Sequence, residues 1–286
     1  MPRVVLITND NTHGQRVLQM VWQRGIMLDA VLMLSGTLGV PELRGAGLGK
    51  RLLRWPRTFA GTLRRRYRFH RKRKPGYAQR CTRVIVTGAM NGRRLVSQLR
   101  ALQPDWIVLG GGGILEPQVI ETARIGVLNA HPALLPWTRG VGTTGPALEH
   151  GVALGATLHY VDGGIDTGAV IERRLVAVAE DETRLAALDL ACWELAAEMM
   201  ADAVEGIVRR GEVPRGVPQA ARYPLFRWPS QDDLRRHAEV AASGRAWALY
   251  DLWRPLCVDP ERNLLPSYDF EAPPSLTLEP VASRAG

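Results

Sequence analysis

The 286-residue sequence predicts an α/β fold built on a parallel sheet. Three observations predict it. Short apolar runs of strand length recur at 3–8, 29–34, 83–87 and 105–109. Between the first two, Val17, Leu18, Val21 and Trp22 recur at helical spacing, which gives a β-α-β opening with a right-handed crossover. Finally, an amide (Asn129), an imidazole (His131) and a carboxylate (Asp166) fall at the ends of short apolar runs. In an α/β sheet that edge is where ligands bind.

The elements follow in order. After the first strand, 9–14 is a loop in which Asn9 and Asn11 read as turn and helix-cap residues. Gly25 stops the helix that follows, and 29–34 is the second strand. The loop lacks a full Gly-x-Gly-x-x-Gly, so nothing marks a dinucleotide site. Residues 36–80 form an insertion: glycines make its start a loop, then Leu48, Leu52, Trp55, Phe59 and Leu63 fall near helical spacing, kinked at Pro56. A strand at 83–87 and a helix at 91–102, with Leu95 and Leu99 inward, lead to the central strand, which ends in four glycines. Beyond it come a strand at 126–128, a short helix at 146–150 stopped by Gly151, and strands at 155–161 and 169–178. A long helix runs over 182–210. From 211 the pattern weakens; one or two helices over 231–250, broken at Gly244, precede a proline-rich tail from Pro266 that reads as extended and loosely held. The domains expected are 1–210, carrying the chemistry, and an extension over 211–286.

Composition narrows the classes. The start shows no h-region or cleavage site, and no apolar segment is long enough to span a bilayer, so a cytoplasmic protein is expected. Cys81, Cys192 and Cys257 are too few and too scattered for a disulfide framework or a zinc pattern, and no metal is implied. The net charge of +9 is uneven: 42–83 holds fifteen Lys/Arg against one acid, and the remainder holds 22 basic against 27 acidic residues. Within 64–74, eight of eleven residues are Lys or Arg, interleaved with Tyr67 and Phe69. Such a run is either a solvated loop or a contact for an anionic carrier, a membrane surface or a nucleic acid.

The stretch 129–168 carries a resemblance. Asn129-Ala130-His131, Leu134-Leu135-Pro136, Arg139-Gly140, Gly155-Ala156-Thr157-Leu158-His159 and Asp166-Thr167-Gly168 follow one another as in the folate-dependent formyltransferases, and the sequence resembles that family over 1–210. The resemblance implies a Rossmann-like formyltransferase domain that uses 10-formyltetrahydrofolate as co-substrate, with Asn129, His131 and Asp166 as catalytic residues. It assigns folate contacts to Gly113, Ile114 and Leu115, and to Val161 and Asp162; Leu115 precedes Asn129 by fourteen positions, as the family pattern requires. Asp162 also reads as a turn former, and His159 as a supporting, hydrogen-bonded residue. Arg139 is either an anion contact or a structural ion pair.

Formyl transfer needs an uncharged attacking amine, a stabilised oxyanion and a proton for the leaving nitrogen. Asn129 offers an amide N–H to the oxygen. His131, held protonated by Asp166, donates as well and relays protons. The loop 136–145, which borders the amine in the family, has its own composition here. The acceptor expected is an amino sugar on a nucleotide or related carrier, because the β-rich domain of methionyl-tRNA formyltransferases is not recognisable. The alternatives are an amino-acid-like or purine-pathway amine, hydrolysis of 10-formyltetrahydrofolate, and a non-catalytic polyanion-binding protein.

Overall fold

The computed structural model describes residues 1–34, 79–111, 113–219 and 223–268. Nearly all of the insertion 36–80, including the helical spacing at 48–63 and the basic run 64–74, lies outside the described residues. So do Pro273, Pro274 and Pro280. By contact density the chain divides into two units, Met1–Leu128 with Ala201–Val213, and Asn129–Met200 with Pro214–Gly286.

In the first unit, β1 (Val4–Thr8), β2 (Ala30–Leu34), β3 (Val84–Thr87), β4 (Trp106–Gly110) and the start of β5 (Gly126–His131) lie in the order β5-β4-β1-β2-β3, every pair parallel. The α/β parallel sheet expected from the sequence is present. The order reverses beside β1, where β2 and β4 flank it on opposite sides, which is the switch point of a doubly wound sheet. Every residue of β1, β2 and β4 is buried, so these strands show continuous apolar runs rather than alternation.

Helix α1 (Thr12–Gln23) starts at Asn11, whose side chain accepts the Gly14 N–H at 2.8 Å, the cap expected from the sequence. Its first turn presses on the strand ends, since a Cβ on Gly14 would stand 2.1 Å from Thr8 Oγ1. Trp22 leaves the apolar face of this helix and lies under the Arg80 guanidinium, 5.3 Å from its centroid. Helix α2 (Arg93–Leu102) buries Leu95 and Leu99 fully. It begins two residues later than 91, after Gly92, whose extended backbone is its N-cap. Helix α3 (Pro117–Ile120) is a single turn.

The second unit holds β6 (Arg139–Gly140), α4 (Thr144–Glu149), β7 (Gly155–Tyr160), β8 (Val170–Leu175), the greater part of α5 (Leu185–Glu205), β9 (Leu225–Phe226), α6 (Gln231–Ala242), α7 (Arg245–Trp253) and β10 (Leu264–Leu265). Strand β8 pairs antiparallel with β7 on one side and β10 on the other. Gly151 stops α4 at φ +74, and Gly244 separates α6 from α7 at φ +78, both as the sequence predicts. Helix α6 opens on a capping box in which Ser230 and Asp233 satisfy each other's backbone N–H.

One apolar core serves this unit. Leu134, Trp137, Leu148, Leu154, Leu175, Leu188, Leu249, Trp253 and Leu265 are all buried in it. Residues beyond 230 therefore share a core with the loop after His131. Trp137 meets Trp253 edge to face at 5.2 Å, an arrangement favoured by the ring quadrupoles. No described helix is long and apolar enough to cross a membrane.

Candidate active site

Asn129 and His131 are the first and third residues of the second unit, on the last half of β5. His159 is the penultimate residue of β7 and follows a register shift, where Leu158 pairs with Glu172 but His159 with Val170. Such an irregularity re-aims a strand-end side chain. Asp166 follows the turn that starts at Asp162, whose Oδ1 accepts the Gly164 N–H at 3.0 Å and the Thr167 hydroxyl at 2.7 Å. Asp162 is thus the turn former the sequence indicates, and Val161 beside it is half-buried.

The turn is held at both ends. A Cβ on Gly168 would stand 1.9 Å from the Tyr160 carbonyl oxygen, so only glycine permits that approach. Gln219 Nε2 donates to the carbonyls of Asp166 at 3.0 Å and Gly168 at 2.7 Å. Asp166 itself sits at φ +53, a region that Asp enters more readily than most residues.

Around this carboxylate the side chains converge. Asp166 Oδ2 lies 3.8 Å from His131 Nδ1, and Oδ1 lies 3.8 Å from His159 Nε2. Those are ion-pair distances, longer than a hydrogen bond. Oδ2 instead accepts the backbone N–H of Gly140 at 2.9 Å. His131 donates from Nε2 to the Thr138 carbonyl at 2.9 Å. The imidazole is therefore oriented by the Thr138 carbonyl. With Nε2 committed, Nδ1 is the ring nitrogen that faces Asp166.

His159 donates from Nδ1 to the Tyr160 carbonyl at 2.7 Å, so the neutral ring presents Nε2 as an acceptor. The amide nitrogen of Asn129 donates to it at 3.1 Å. Burial lowers the His159 pKa from 6.5 to about 4; Asp166 opposes the shift and His131 adds to it. At neutral pH this histidine is an uncharged acceptor that fixes which end of the Asn129 amide bears the donors.

The loop between His131 and β6 is tied down repeatedly. Thr138 bonds the Leu134 carbonyl through both its N–H at 3.1 Å and its hydroxyl at 3.0 Å. Strand β6 pairs with β9, and Arg139 Nη2 donates to the Tyr223 carbonyl at 3.1 Å, while its Nε is buried without a hydrogen-bond partner.

In the first unit, the turn after β4 holds the other predicted residues. Gly113 is exposed at φ +126, Ile114 is exposed and Leu115 is buried. Asn91 bridges this turn: its Nδ2 donates to the Ile114 carbonyl at 3.0 Å and its Oδ1 accepts the Glu116 N–H at 2.9 Å. That takes one of the backbone groups of Ile114, leaving its side chain outward.

Residues 81–204 match the family model described as formyl transferase. Over this segment the chain is similar to that family. The chain is 37% identical over 191 residues to the methionyl-tRNA formyltransferase of Burkholderia vietnamiensis, covering 66% of this chain and 56% of that protein. It is 38% identical over 128 residues to the Burkholderia cenocepacia enzyme, covering 44% of this chain and 38% of that one. It thus spans about half the length of these relatives. Among solved structures, glycinamide ribonucleotide transformylase 1 from Symbiobacterium toebii aligns with a TM-score of 0.51 at 22% identity, over 77% of this chain and 95% of that one. A sugar N-formyltransferase from Shewanella aligns with a TM-score of 0.51 at 13% identity, over 84% and 87% of the two chains. These likenesses show the fold.

Asn129, His131, His159 and Asp166 all fall inside the formyl transferase segment, as do Gly113, Ile114, Leu115, Val161 and Asp162. The sequence reading did not anticipate Thr138, Gly140, Gln219 or Asn91. All four act through backbone groups or on them, and Asn91 and Gln219 reach partners distant in sequence, so residue type alone gave no signal.

Proposed function

We propose that this chain transfers a formyl group from 10-formyltetrahydrofolate to an amine, and that the amine belongs to an amino sugar on a nucleotide or related carrier. The observation that carries the first part is the convergence of His131 and His159 on Asp166, with Asn129 bonded to His159, on a segment similar to formyl transferases. The folate contributes the formyl carbon and the nitrogen that leaves. Its contacts are proposed at Gly113, Ile114, Leu115, Val161 and Asp162. Exposed glycine backbone next to the outward Ile114 side chain, with Leu115 anchored inside, suits the face and edge of a flat ring.

Asn129 gives one amide N–H to His159 and keeps the second for the formyl oxygen as negative charge develops there. A donor in that position is worth about 2.7–4 kcal/mol. His131, with Nε2 held by Thr138, exchanges protons through Nδ1. Asp166 supplies the countercharge when the ring is protonated, and Gly140 keeps the carboxylate facing it. Neither a covalent nucleophile nor a metal is needed for this sequence of steps.

Support for the acceptor comes from the segment paired with β6. Tyr223 and Trp228 are exposed aromatics on it, Pro229 packs on Gly142, and Arg139 retains an unsatisfied Nε. Aromatic faces and a guanidinium suit a base or sugar ring and a phosphate. The test is a panel of nucleotide-linked amino sugars, glycinamide ribonucleotide and methionyl-tRNA, each with 10-formyltetrahydrofolate, reading tetrahydrofolate release and product mass. A formylated amino sugar supports the proposal. Product from methionyl-tRNA or glycinamide ribonucleotide alone overturns the acceptor and keeps the transfer. Release without any amine replaces transfer with hydrolysis. Folate binding without turnover leaves a non-catalytic protein.

A further inference from the structure

We propose that Arg173 is a positioning residue for His131 and Asp166, acting through the loop 135–140, and that the segment at Pro266–Tyr268 is its support. For the reaction it positions, this rests on the formyl-transfer reading; its geometry does not.

Arg173 lies in the middle of β8 and is fully buried. Its neighbour on β7 is Thr157 and its neighbour on β10 is Leu265. The pair Thr157 and Arg173 grips one residue of the loop from both sides. Leu135 N–H donates to Thr157 Oγ1 at 3.0 Å, and the Leu135 carbonyl accepts Arg173 Nε at 2.5 Å. The Thr157 hydroxyl itself donates to the Ala133 carbonyl at 2.8 Å. The guanidinium carbon also stands 5.4 Å from the centroid of Trp137, two residues further on. A desolvated cation over an indole face is attracted by the ring quadrupole.

Directly after Trp137 come the two groups that touch the candidate catalytic side chains. The Thr138 carbonyl holds His131, and the Gly140 N–H holds Asp166. Arg173 therefore anchors the loop within three residues of the first contact and five of the second. Its remaining reach is toward the chain's later residues: Nη1 donates to the carbonyls of Pro266 at 2.7 Å and Tyr268 at 3.2 Å. A rigid planar fork can serve Leu135 through one nitrogen and Pro266 through another, whereas an ammonium is a single point on a flexible stem. The proline-containing segment read from sequence as loosely held is thus, at 266–268, the far wall of a buried clamp.

The test uses the full chain with Arg173→Met, Arg173→Gln and Arg173→Lys. The imidazole nitrogens of His131 are followed by proton–nitrogen correlation spectroscopy, which needs no substrate. In the wild-type protein a single Nε2–H tautomer and a trans-hydrogen-bond coupling from Arg173 Nε to the Leu135 carbonyl are expected. In folded Arg173→Met, mixed tautomers or exchange broadening at His131 are expected, with partial recovery on adding guanidinium ion. Turnover should fall about 10²-fold, the cost of an ångström-scale misplacement, with the Michaelis constant for folate nearly unchanged. A folded variant with wild-type His131 resonances overturns the proposal, and so does a wild-type protein without the coupling, which covers the case in which no variant folds. If the wild-type protein transfers no formyl group, the functional reading falls while the spectroscopic result still decides the clamp.

Discussion

The amide nitrogen of Asn129 stands 3.1 Å from Nε2 of His159, and the Tyr160 carbonyl fixes the opposite nitrogen of that ring as a donor. The relationship gives His159 a task that requires it to stay neutral. An imidazolium there would set a donor against the amide donors of Asn129. The buried surroundings that lower its pKa to about 4 keep that from happening at neutral pH.

His159→Ala is therefore expected to act on Asn129 without touching the reacting atoms. Turnover should fall about 10-fold or more, short of the roughly 10²–10³ expected for Asn129→Ala if its amide is an oxyanion donor. In the double variant the two losses should not add, since one works through the other. Steady-state kinetics on the four proteins of the cycle measures this. Full additivity would separate the two residues.

The same histidine sets a pH dependence of stability. Its folded-state pKa lies below the unfolded value of 6.5, so the unfolded chain binds the proton more readily. The contribution of neutral His159 is complete above pH 6.5 and is lost as pH falls toward about 4. Urea midpoints measured from pH 7.5 to pH 4.5 should fall more steeply for the wild-type protein than for His159→Gln. Parallel curves would remove His159 as the source.

Asp166→Asn tests the carboxylate without dismantling its turn. The amide oxygen can still accept the Gly140 N–H, and Gln219 grips backbone carbonyls that the substitution leaves alone. Thermal stability should change little, while turnover drops by about 10³-fold or more, the scale seen when an oriented group partnering a histidine is neutralised. Near-normal turnover in this variant would exclude Asp166 from the chemistry.

Much of the fold could be read in the sequence because its strands are buried on both faces. Runs such as 4–7 and Trp106–Gly110 have no polar positions to blur them. Gly151 and Gly244 marked helix ends for an equally local reason, the left-handed backbone each adopts. The long helix over 182–210 is α over Leu185–Glu205 and then a π-helical turn at Gly206–Arg210, a change in hydrogen-bond period that composition does not signal. Arg173 is the clearest failure of local reading. In Ile171-Glu172-Arg173-Arg174 nothing distinguishes a buried guanidinium from an exposed one until Leu135 and Pro266 are brought to it. The residues beyond 211 looked weakly patterned because their apolar side chains complete a core begun at Leu134 rather than one of their own.

The basic run 64–74 is expected to steer an anionic partner and to take no part in the chemistry. Replacing its arginines with serine should leave folate binding unchanged and raise the Michaelis constant only for a charged, carrier-linked acceptor. Each Lys/Arg near an anionic surface contributes about 1 kcal/mol, and screening sets in over roughly 8 Å at physiological ionic strength. Binding to anionic vesicles at low salt, lost at high salt and in the variant, is the check. Equal binding by the two proteins would leave the run as a solvated loop.

Asn91 is the final case, because it separates binding from chemistry. Its side chain ties the Ile114 carbonyl to the Glu116 N–H across the turn proposed to meet the folate, and Gln118 Nε2 adds a bond to the Asn91 carbonyl at 3.1 Å. Asn91→Ala removes both side-chain bonds and leaves exposed groups that water can satisfy, so the loss of stability should be small, about 1 kcal/mol. The turn would then have to be ordered by the ligand itself, at a cost drawn from binding. The folate dissociation constant should rise by about 5-fold to 10-fold, with turnover at saturation unchanged, since neither Asn129 nor His131 is altered. Isothermal titration with a folate and a saturating kinetic series measure the two quantities. A fall in saturated turnover with unchanged affinity would move this turn out of the binding role.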